Sequence, residues 1–264
     1  MTGSAIRLTP TELLASWESL DLGEPPFLLR LRRPGFTLAA QREARLLLRK
    51  AMTALAARGL SDGTQPNAAL AHLLRTLAHA DYHLDIRFTD PAGSQRPVLG
   101  LGAVAGTHGV VVTSNDGAGP LDLQAVDGSR VAATLLNLLG EVKPGIGAPV
   151  NIPAAALDDA IAATADGGIW SLADQLRDRG ISRQEASSLA RMCTGINSGG
   201  QLGATARFTG PDRRGPWMVG FLLGETGYFL QLRRGSTVTM CPTDKPRLLH
   251  QWRELVEHLQ PAVR

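Results

Sequence analysis

The stretch DQLRDRGISRQEA, residues 174–186, repeats the helix ending of an earlier stretch, TALAARGLS, residues 53–61. In both stretches an apolar helical run is followed by Arg-Gly, an aliphatic residue and Ser. A helix commonly ends in a left-handed residue, and glycine takes that conformation without a steric cost. We therefore predict helix ends at Gly59 and Gly180, and the shared ending indicates that one structural unit is present twice.

The correspondence between the two parts of the chain continues beyond this helix ending. The offset between matching residues is 121 at Arg-Gly, 120 at a shared Arg-Phe-Thr and 119 at the proline that opens the next apolar run. Each of those runs contains a Gly-x-x-Gly turn, at 106–109 and 224–227. These matches, which occur in the same order, predict a single domain made of two pseudo-repeats, about 1–142 and 148–264.

Local sequence signals place helices before strands in each repeat. The tetrapeptide TPTE at 9–12 is a strong helix start, because Thr caps the first turn, Pro suits its beginning and Glu reaches back to the cap. A short extended run at 5–8 precedes it, and its counterpart at 150–153 precedes a helix that extends to about 165. The other predicted helices are 41–58, 67–79, 129–139, 183–195 and 244–260, and the other predicted strands are 26–35, 82–89, 98–105, 110–113, 121–126, 202–209, 217–223, 228–232 and 237–241.

Hydrophobic periodicity indicates how the strands are covered. Apolar and polar residues alternate in 82–89, which is typical of a strand with one buried face. Strands 98–105 and 217–223 are apolar on both faces, and this pattern predicts strands that are covered on both sides. The order of elements predicts an α+β fold with quasi-two-fold internal duplication and a central antiparallel sheet flanked by helices.

Composition favours a globular protein and requires no charged partner. Hydrophobic residues make up 44% of the chain, and the 27 basic and 24 acidic residues leave a formal net charge of only +3. The chain has two cysteines, Cys193 and Cys241, which we interpret as buried inert thiols rather than a disulfide. The sequence shows neither a signal peptide nor a window of about 20 apolar residues, so we expect a cytoplasmic protein without a membrane span.

The sequence contains little that indicates catalysis. The glycines at 100–106 do not precede a predicted helix, which a dinucleotide site requires. His79 and His83 have metal-ligand spacing, but a predicted strand begins between them and no third ligand accompanies them. We therefore expect no catalytic residue, no metal and no cofactor, and the interpretation favoured by the residues alone is a binding protein.

Four segments of the sequence resemble the EspG family, cytosolic chaperones associated with ESX (type VII) secretion in mycobacteria. They are LTPTELLASWESLDLGEPP at 8–26, QLGATARFTGPDRRGP at 201–216, GFLLGETGYFLQL at 220–232 and TVTMCPTDKPRLLHQWRELVEHL at 237–259. The resemblance implies a quasi-two-fold α+β protein with a central antiparallel sheet and helical bundles. It also implies a non-enzymatic chaperone that grips the helical tip of the PPE subunit in a PE–PPE heterodimer and keeps it soluble until export.

The resemblance further implies where the client is bound: at the loop after the second sheet strand, on the central sheet and at the C-terminal helices. The implied partner-binding residues are Thr89, Asp90, Ser94, Gln95 and Arg96 in the loop, and Gln201, Thr205, Arg207, Trp217, Val219 and Phe221 on the sheet. The alternation of residues does not show which sheet face is open. For Trp217 and Phe221, burial in the core is an equal alternative.

Other interpretations stay open at the level of sequence. One is a ligand-binding protein or enzyme that uses a groove between the two repeats, around His83, Asp85, Arg87 and Arg207. Another is a nucleic-acid-binding protein that uses short arginine clusters. We expect no nucleic-acid partner, because no aromatic residues are interleaved with these clusters. Self-association into a homodimer without the client is a further alternative, since a free sheet edge can pair with a second copy.

Overall fold

The structure is a computed structural model that describes residues 5–29, 31, 38–89, 97–115, 119–164, 169–206 and 213–259. The chain divides into two compact units. The first unit comprises Met1–Asp85, Val98–Leu135 and Ala206–Pro211, and the second comprises Ile86–Pro97, Leu136–Thr205 and Asp212–Arg264.

Helices and strands occur in nearly the same order along the two parts of the chain. The elements up to residue 139 are β1 Ile6–Leu8, α1 Pro10–Ser19, α2 Leu38–Ala57, α3 Ala68–Ala78, β2 Tyr82–Thr89, β3 Pro97–Ala105, β4 His108–Ser114, β5 Leu121–Asp127 and α4 Val131–Leu136, with 3-10 turns at Phe27–Leu29, Gly128–Arg130 and Asn137–Leu139. The later elements are β6 Val150–Pro153, α5 Ala154–Ala163, α6 Ile169–Asp178, α7 Arg183–Met192, β7 Ser198–Ala206, β8 Arg213–Arg214, β9 Met218–Gly224, β10 Gly227–Arg234, β11 Thr237–Pro242 and α8 Lys245–Leu259.

Strand order is also equivalent in the two units. The first unit has the order β1-β5-β4-β3-β2, and the second has β7-β9-β10-β11-β6, with β8 paired to β7. Pairing is antiparallel in β1–β5, β5–β4, β4–β3, β7–β9, β9–β10, β10–β11 and β11–β6. The boundary between the units falls inside β2, which begins in the first unit and ends in the second. The predicted α+β fold with an antiparallel sheet is confirmed.

The core of the first unit occupies both faces of its strands. Helices α1, α2 and α3 contribute buried side chains such as Trp17, Leu55 and Leu74, which cluster with residues of β3, β4 and β5. On the other face α4 lies so close to β3 that a Cβ added at Gly102 would come 2.3 Å from Val131 Cγ1. The prediction that strand 98–105 is covered on both sides is therefore correct.

The predicted helix signals have the expected geometry. The Thr9 Oγ1 accepts a hydrogen bond from the Glu12 N–H at 3.2 Å, and the Glu12 carboxylate accepts one from the Thr9 N–H at 2.7 Å. This is a complete capping box at the start of α1. Gly59 and Gly180, which follow α2 and α6, have φ angles of +70° and +82°. The backbone is left-handed at both helix ends, which explains why both carry glycine.

Three local predictions differ from the structure. The strand predicted at 26–35 is a 3-10 turn at Phe27–Leu29, and most of its remainder lies outside the described residues. The helix predicted at 129–139 is a short α4 between two 3-10 turns. Asp85, on the predicted polar face of β2, is only 4% exposed, so that face is covered at this position.

Candidate functional site: the open sheet face of the second unit

In the second unit, helices α5, α6 and α7 cover one face of the outer strands. Their buried side chains cluster with Phe229 of β10, with Val238 and Met240 of β11, and with Val150 and Ile152 of β6. The clustering follows from the strand pattern, because alternate residues of a strand point to the same face and directly paired residues of antiparallel strands share a face. This side of the sheet is the face to which Phe229 and Met240 point.

Helix α8 lies over the opposite face of the same sheet. The indole N–H of Trp252 donates a hydrogen bond to the Gly203 carbonyl at 2.8 Å, and Trp252 is 1% exposed. Near the end of β10, the Arg234 guanidinium lies 4.5 Å from the Trp217 ring centroid and forms an ion pair with Glu254 of α8. His258 of α8 packs edge-on against the same ring, with centroids 4.5 Å apart.

The face that α5–α7 cover at the outer strands carries exposed side chains at Gln201 of β7 and Met218 of β9. Gly220 of β9 pairs with Gln201 of β7 on one side and with Gln231 of β10 on the other, so these residues form a row across three strands. Met218, paired with Arg233, lies on the same face and is 48% exposed. We call Gln201, Met218, Gly220, Gln231 and Arg233 the open face.

The central residue of the open face is Gly220, which is itself buried. Gly220 has no side chain, and a Cβ added there would lie 3.3 Å from Gln231 Oε1, so the Gln231 amide lies next to the glycine. At the place of Gly220, counted from the two matching prolines at 97 and 216, the first unit has Leu101, which is 4% exposed in the core. The first unit fills this position with a buried side chain, and the second unit leaves it without one.

The polar side chains of the open face differ in whether they form hydrogen bonds within the chain. Arg233 donates two hydrogen bonds to the Asp158 carboxylate of α5, at 2.8 and 2.5 Å, and the Arg233 contact holds the pKa of Asp158 below its ordinary value. Among the described residues, the side-chain amides of Gln201 and Gln231 have no hydrogen-bond partner. Ile161, about one turn beyond Asp158 on α5, is 52% exposed.

Two of the residues predicted to bind the partner are in the core. Val219 is 0% exposed and Phe221 is 1% exposed, and both point to the face of Leu230 and Leu232, their partners in β10. In this conformation a surface partner does not reach these side chains. The prediction that strand 217–223 is covered on both sides holds for most of β9, because Gly220 is buried and Leu222 packs against the core beneath α5–α7, but Met218 at the start of the strand is exposed.

The other predicted residues are not brought together at one place. At one end of β7 the Ser198 hydroxyl donates to the Thr89 carbonyl, and at the other end Thr205 accepts a hydrogen bond from Arg214 at 3.2 Å. The seven-residue separation corresponds to ~23 Å along the strand. Gln201 lies between them on the open face, and the half-buried Trp217 lies on the α8 side. Five predicted residues fall outside the described ones: Asp90, Ser94, Gln95, Arg96 and Arg207.

Sequence reasoning missed Met218, Gly220, Gln231 and Arg233 as members of this sheet face, on which Met218 and Arg233 are exposed. The signal that was present is Gly220, a residue without a side chain in an otherwise apolar run, where a buried central strand would carry a large one. The pairing of Gly220 with Gln201 and Gln231 shows which sheet face the glycine belongs to. This pairing can be read only from the folded sheet.

The described residues show few features of a metal-binding or catalytic site. In the described ranges, no three His, Cys, Asp or Glu side chains are placed to hold a metal ion. A cavity of about 370 Å³ borders Pro144, Gly147, Asp244 and Arg247, but both charged side chains make local hydrogen bonds there. None of the helices that the structure describes has the length and apolar character needed to cross a membrane.

Comparisons with known proteins agree on one relationship. A family model described as the EspG family matches residues 9–254. A solved structure of the Mycobacterium tuberculosis type VII secretion system chaperone EspG5 in complex with a PE25–PPE41 dimer matches with a TM-score of 0.72 and 17% sequence identity, over 98% of this chain and 98% of that chain. At this identity the structural match concerns the fold. No curated protein matches the chain.

Proposed function

Because the chain belongs to the EspG family, we propose that it is a cytoplasmic chaperone of a type VII secretion system that binds the helical tip of the PPE subunit in a PE–PPE heterodimer. The proposal rests on the family match and on the fold shared with EspG5, whose structure was solved with a PE25–PPE41 dimer. In this role the protein binds its client and keeps it soluble until export, and it catalyses no reaction.

The open face is the observation that supports this role most directly. A soluble chain gains free energy by covering the apolar faces of its strands, yet Met218 of β9 is exposed on the same sheet face as the exposed Gln201 of β7. Exposed apolar groups next to polar ones are typical of the centre and rim of a protein interface. We therefore place the client on the open face.

The two glutamines of the open face suit the end of a helix. The last turn of a helix leaves backbone carbonyls without intrahelical partners, and the first turn leaves N–H groups. A primary amide donates and accepts hydrogen bonds, so Gln201 and Gln231 match both kinds of backbone group. Since neither amide has a partner among the described residues, both are available for such contacts.

Residues around the open face are proposed to belong to the interface as well. The ion pair of Arg233 with Asp158 and the exposed Ile161 lie on its α5 side. Thr205 lies near the far end of β7, and Thr89 lies near the other end. Interfaces of standard size bury about 1,600 Å² in total, which requires contributions beyond the open face itself.

The proposal is tested by co-expressing the chain with a PE–PPE pair encoded near its own gene and measuring complex formation by size-exclusion chromatography. The wild type is expected to co-elute with the pair at equal stoichiometry. Met218→Glu places a charge at the centre of the interface and is expected to weaken the complex by about tenfold or more.

The matched control is Leu47→Glu in α2, because Leu47 is 49% exposed and Met218 is 48% exposed. The same substitution at equal exposure is expected to leave the complex intact. A wild type that elutes separately from every neighbouring PE–PPE pair contradicts the proposed function. Full binding by a folded Met218→Glu variant contradicts the open face as the docking site.

A further inference from the structure

Helix α2 of the first unit leaves a wide arc of its surface exposed. Its inward stripe, which includes Leu48, Met52 and Leu55, packs against the core of the first unit. The residues of 42–50 that point away from this stripe are exposed: Arg42, Glu43, Arg45, Leu46, Leu47, Arg49 and Lys50. At 100° per residue these positions span roughly 200° of the helix circumference.

Positive charge is concentrated on this arc. The arc carries Arg42, Arg45, Arg49 and Lys50 against the single acid Glu43, so its formal charge is 4 − 1 = +3, which equals the formal net charge of the whole chain. Within the described ranges none of these four cations forms an ion pair. By contrast, Arg58, just beyond the end of the same helix, is paired with the Glu12 carboxylate at 3.1 Å.

Two leucines lie among these cations. Leu46 is 47% exposed and Leu47 is 49% exposed. Residues three and four apart are neighbours on a helix surface, so Leu46 is bordered by Arg42, Arg49 and Lys50. The long side chains of arginine and lysine can reach past a leucine towards an anion while their methylene groups stay against apolar surface.

We infer that the exposed arc of α2 binds an anionic membrane surface. Lipid headgroups offer many negative charges that diffuse to the cations, and the acyl region just below accepts Leu46 and Leu47. A second copy of the helix would bring like charges together. Nucleic acid would satisfy the cations but would leave the leucines without an apolar partner, and an acidic protein would need fixed carboxylates around the whole arc.

This inference is independent of the client-binding role, because it concerns α2 of the first unit whereas the client is placed on the second unit. It describes a peripheral contact in which the helix rests on the headgroups, and it involves no membrane span. Binding of this kind weakens as salt screens the charges.

The test is co-sedimentation of the purified full chain with vesicles of equimolar phosphatidylcholine and phosphatidylglycerol, compared with vesicles of phosphatidylcholine alone. The wild type is expected to sediment with the anionic vesicles only. Arg42→Gln combined with Arg49→Gln removes two cations and is expected to weaken the partitioning by about thirtyfold. Glutamine is a good helix former, so α2 is expected to persist, which circular dichroism checks.

The matched control is Arg183→Gln combined with Arg253→Gln, which removes the same charge from exposed positions of the second unit. It is expected to bind vesicles like the wild type. Absence of wild-type binding, unchanged binding by the α2 variant, or an equal loss in both double variants overturns the inference.

A third variant, Leu46→Gln, keeps every charge and separates a membrane from other polyanions. It is expected to weaken vesicle binding severalfold, because a leucine that inserts between headgroups contributes hydrophobic free energy. Unchanged binding by Leu46→Gln overturns the assignment to a membrane and favours an acidic protein or a nucleic acid as the ligand of this arc.

Discussion

At the scale of single residues, the neighbouring glycines 199 and 200 of β7 have very different surroundings. A Cβ added at Gly200 would come 2.3 Å from Phe221 Cζ and 2.5 Å from the Arg87 carbonyl oxygen. A Cβ added at Gly199 would lie 3.1 Å from the Leu222 side chain and 3.5 Å from the Phe221 carbonyl oxygen, which is ordinary contact. The backbone can therefore accept a side chain at Gly199 with a small adjustment, and it cannot at Gly200.

We expect Gly200→Ala to lower the free energy of unfolding by about 2 kcal/mol or more, because overpacking against a carbonyl oxygen is not relieved by a rotamer change. Urea denaturation measures the effect. Gly199→Ala is the matched control and is expected to change the free energy of unfolding by less than about 1 kcal/mol. Equal losses in the two variants would contradict the packing described around Phe221.

Burial makes Cys193 a poor nucleophile. Desolvation raises the pKa of its thiol to about 11, and burial also raises the pKa of Cys241, where the nearby Arg247 acts in the opposite direction. The thiolate is the reactive form, so at neutral pH both thiols react slowly and Cys193 is expected to be the slower. Labelling of Cys193→Ala and Cys241→Ala variants with a thiol reagent measures each site; faster labelling of Cys193 contradicts this ranking.

The raised pKa of Cys193 also has a consequence for stability. A group whose pKa is higher in the folded state stabilises the fold below the pKa of the unfolded chain, and this contribution is lost as pH rises towards the folded value. The contribution is therefore present below about pH 9 and declines up to a pH of about 11. Cys193→Ala is expected to unfold with a smaller dependence on pH in this window.

Individual surface residues were the hardest to predict from the sequence. Val219 and Phe221 were predicted to lie on the sheet and are part of β9, but the alternation does not say which face a helix will cover. That choice depends on α8, which lies far along the chain and packs on the side of Trp217 and Arg234. Gln201 was predicted and lies on the open face, whereas Met218 looked like an ordinary core residue.

At the scale of elements, the start of α1 joins a local signal to a distant contact. The Glu12 carboxylate completes the capping box with Thr9 and also accepts a hydrogen bond from Arg58 at 3.1 Å. The Glu12 side chain is 10% exposed, so these partners supply hydrogen bonds to a carboxylate that is largely shielded from water. The cap therefore fixes both the beginning of the helix and the position of Arg58 beyond the end of α2.

We expect Thr9→Ala to lower the free energy of unfolding by about 1 kcal/mol, the usual value for a lost helix cap. Thermal or urea unfolding measures the change. Thr53→Ala in α2 is a suitable control, because the Thr53 hydroxyl only donates to a carbonyl of its own helix and alanine is the better helix former. A Thr9→Ala variant as stable as the Thr53→Ala variant would show that the cap contributes nothing.

Most elements could be predicted because their signals are local. Caps and left-handed glycines are properties of short stretches and appear in the structure as expected, and the alternation in β2 holds except at the buried Asp85. The strand predicted at 26–35 failed at Phe27–Leu29, where the chain forms a 3-10 turn instead. An apolar run beside prolines does not by itself distinguish a strand from a buried turn, since tertiary contacts decide between them.

At the scale of the whole molecule, the two units are not two consecutive pieces of chain. The residues after Asp85 in β2 belong to the second unit, although they precede most of it in the sequence. Phe88 packs against Phe221 with ring centroids 6.3 Å apart, and Ser198 donates to the Thr89 carbonyl. A fragment that begins at Leu136 lacks these contacts.

We therefore expect fragments 1–135 and 136–264 not to fold cooperatively when each is expressed alone, and to associate when they are co-expressed. Thermal unfolding followed by circular dichroism distinguishes the outcomes. Fragment 86–264, which restores the end of β2, is the control and is expected to be the more soluble of the C-terminal fragments. A sharp unfolding transition for 136–264 alone would contradict this expectation. The internal duplication itself stays a prediction about ancestry.

The contrast between Leu101 in the first unit and Gly220 in the second has a consequence for valency. If the client docks where Gly220 leaves the sheet flat, a chain built from two similar units still has one binding site, because Leu101 closes the corresponding position. A monovalent protein caps its client and cannot crosslink several clients into a network. Complexes with a PE–PPE pair would accordingly stay small and discrete at any mixing ratio.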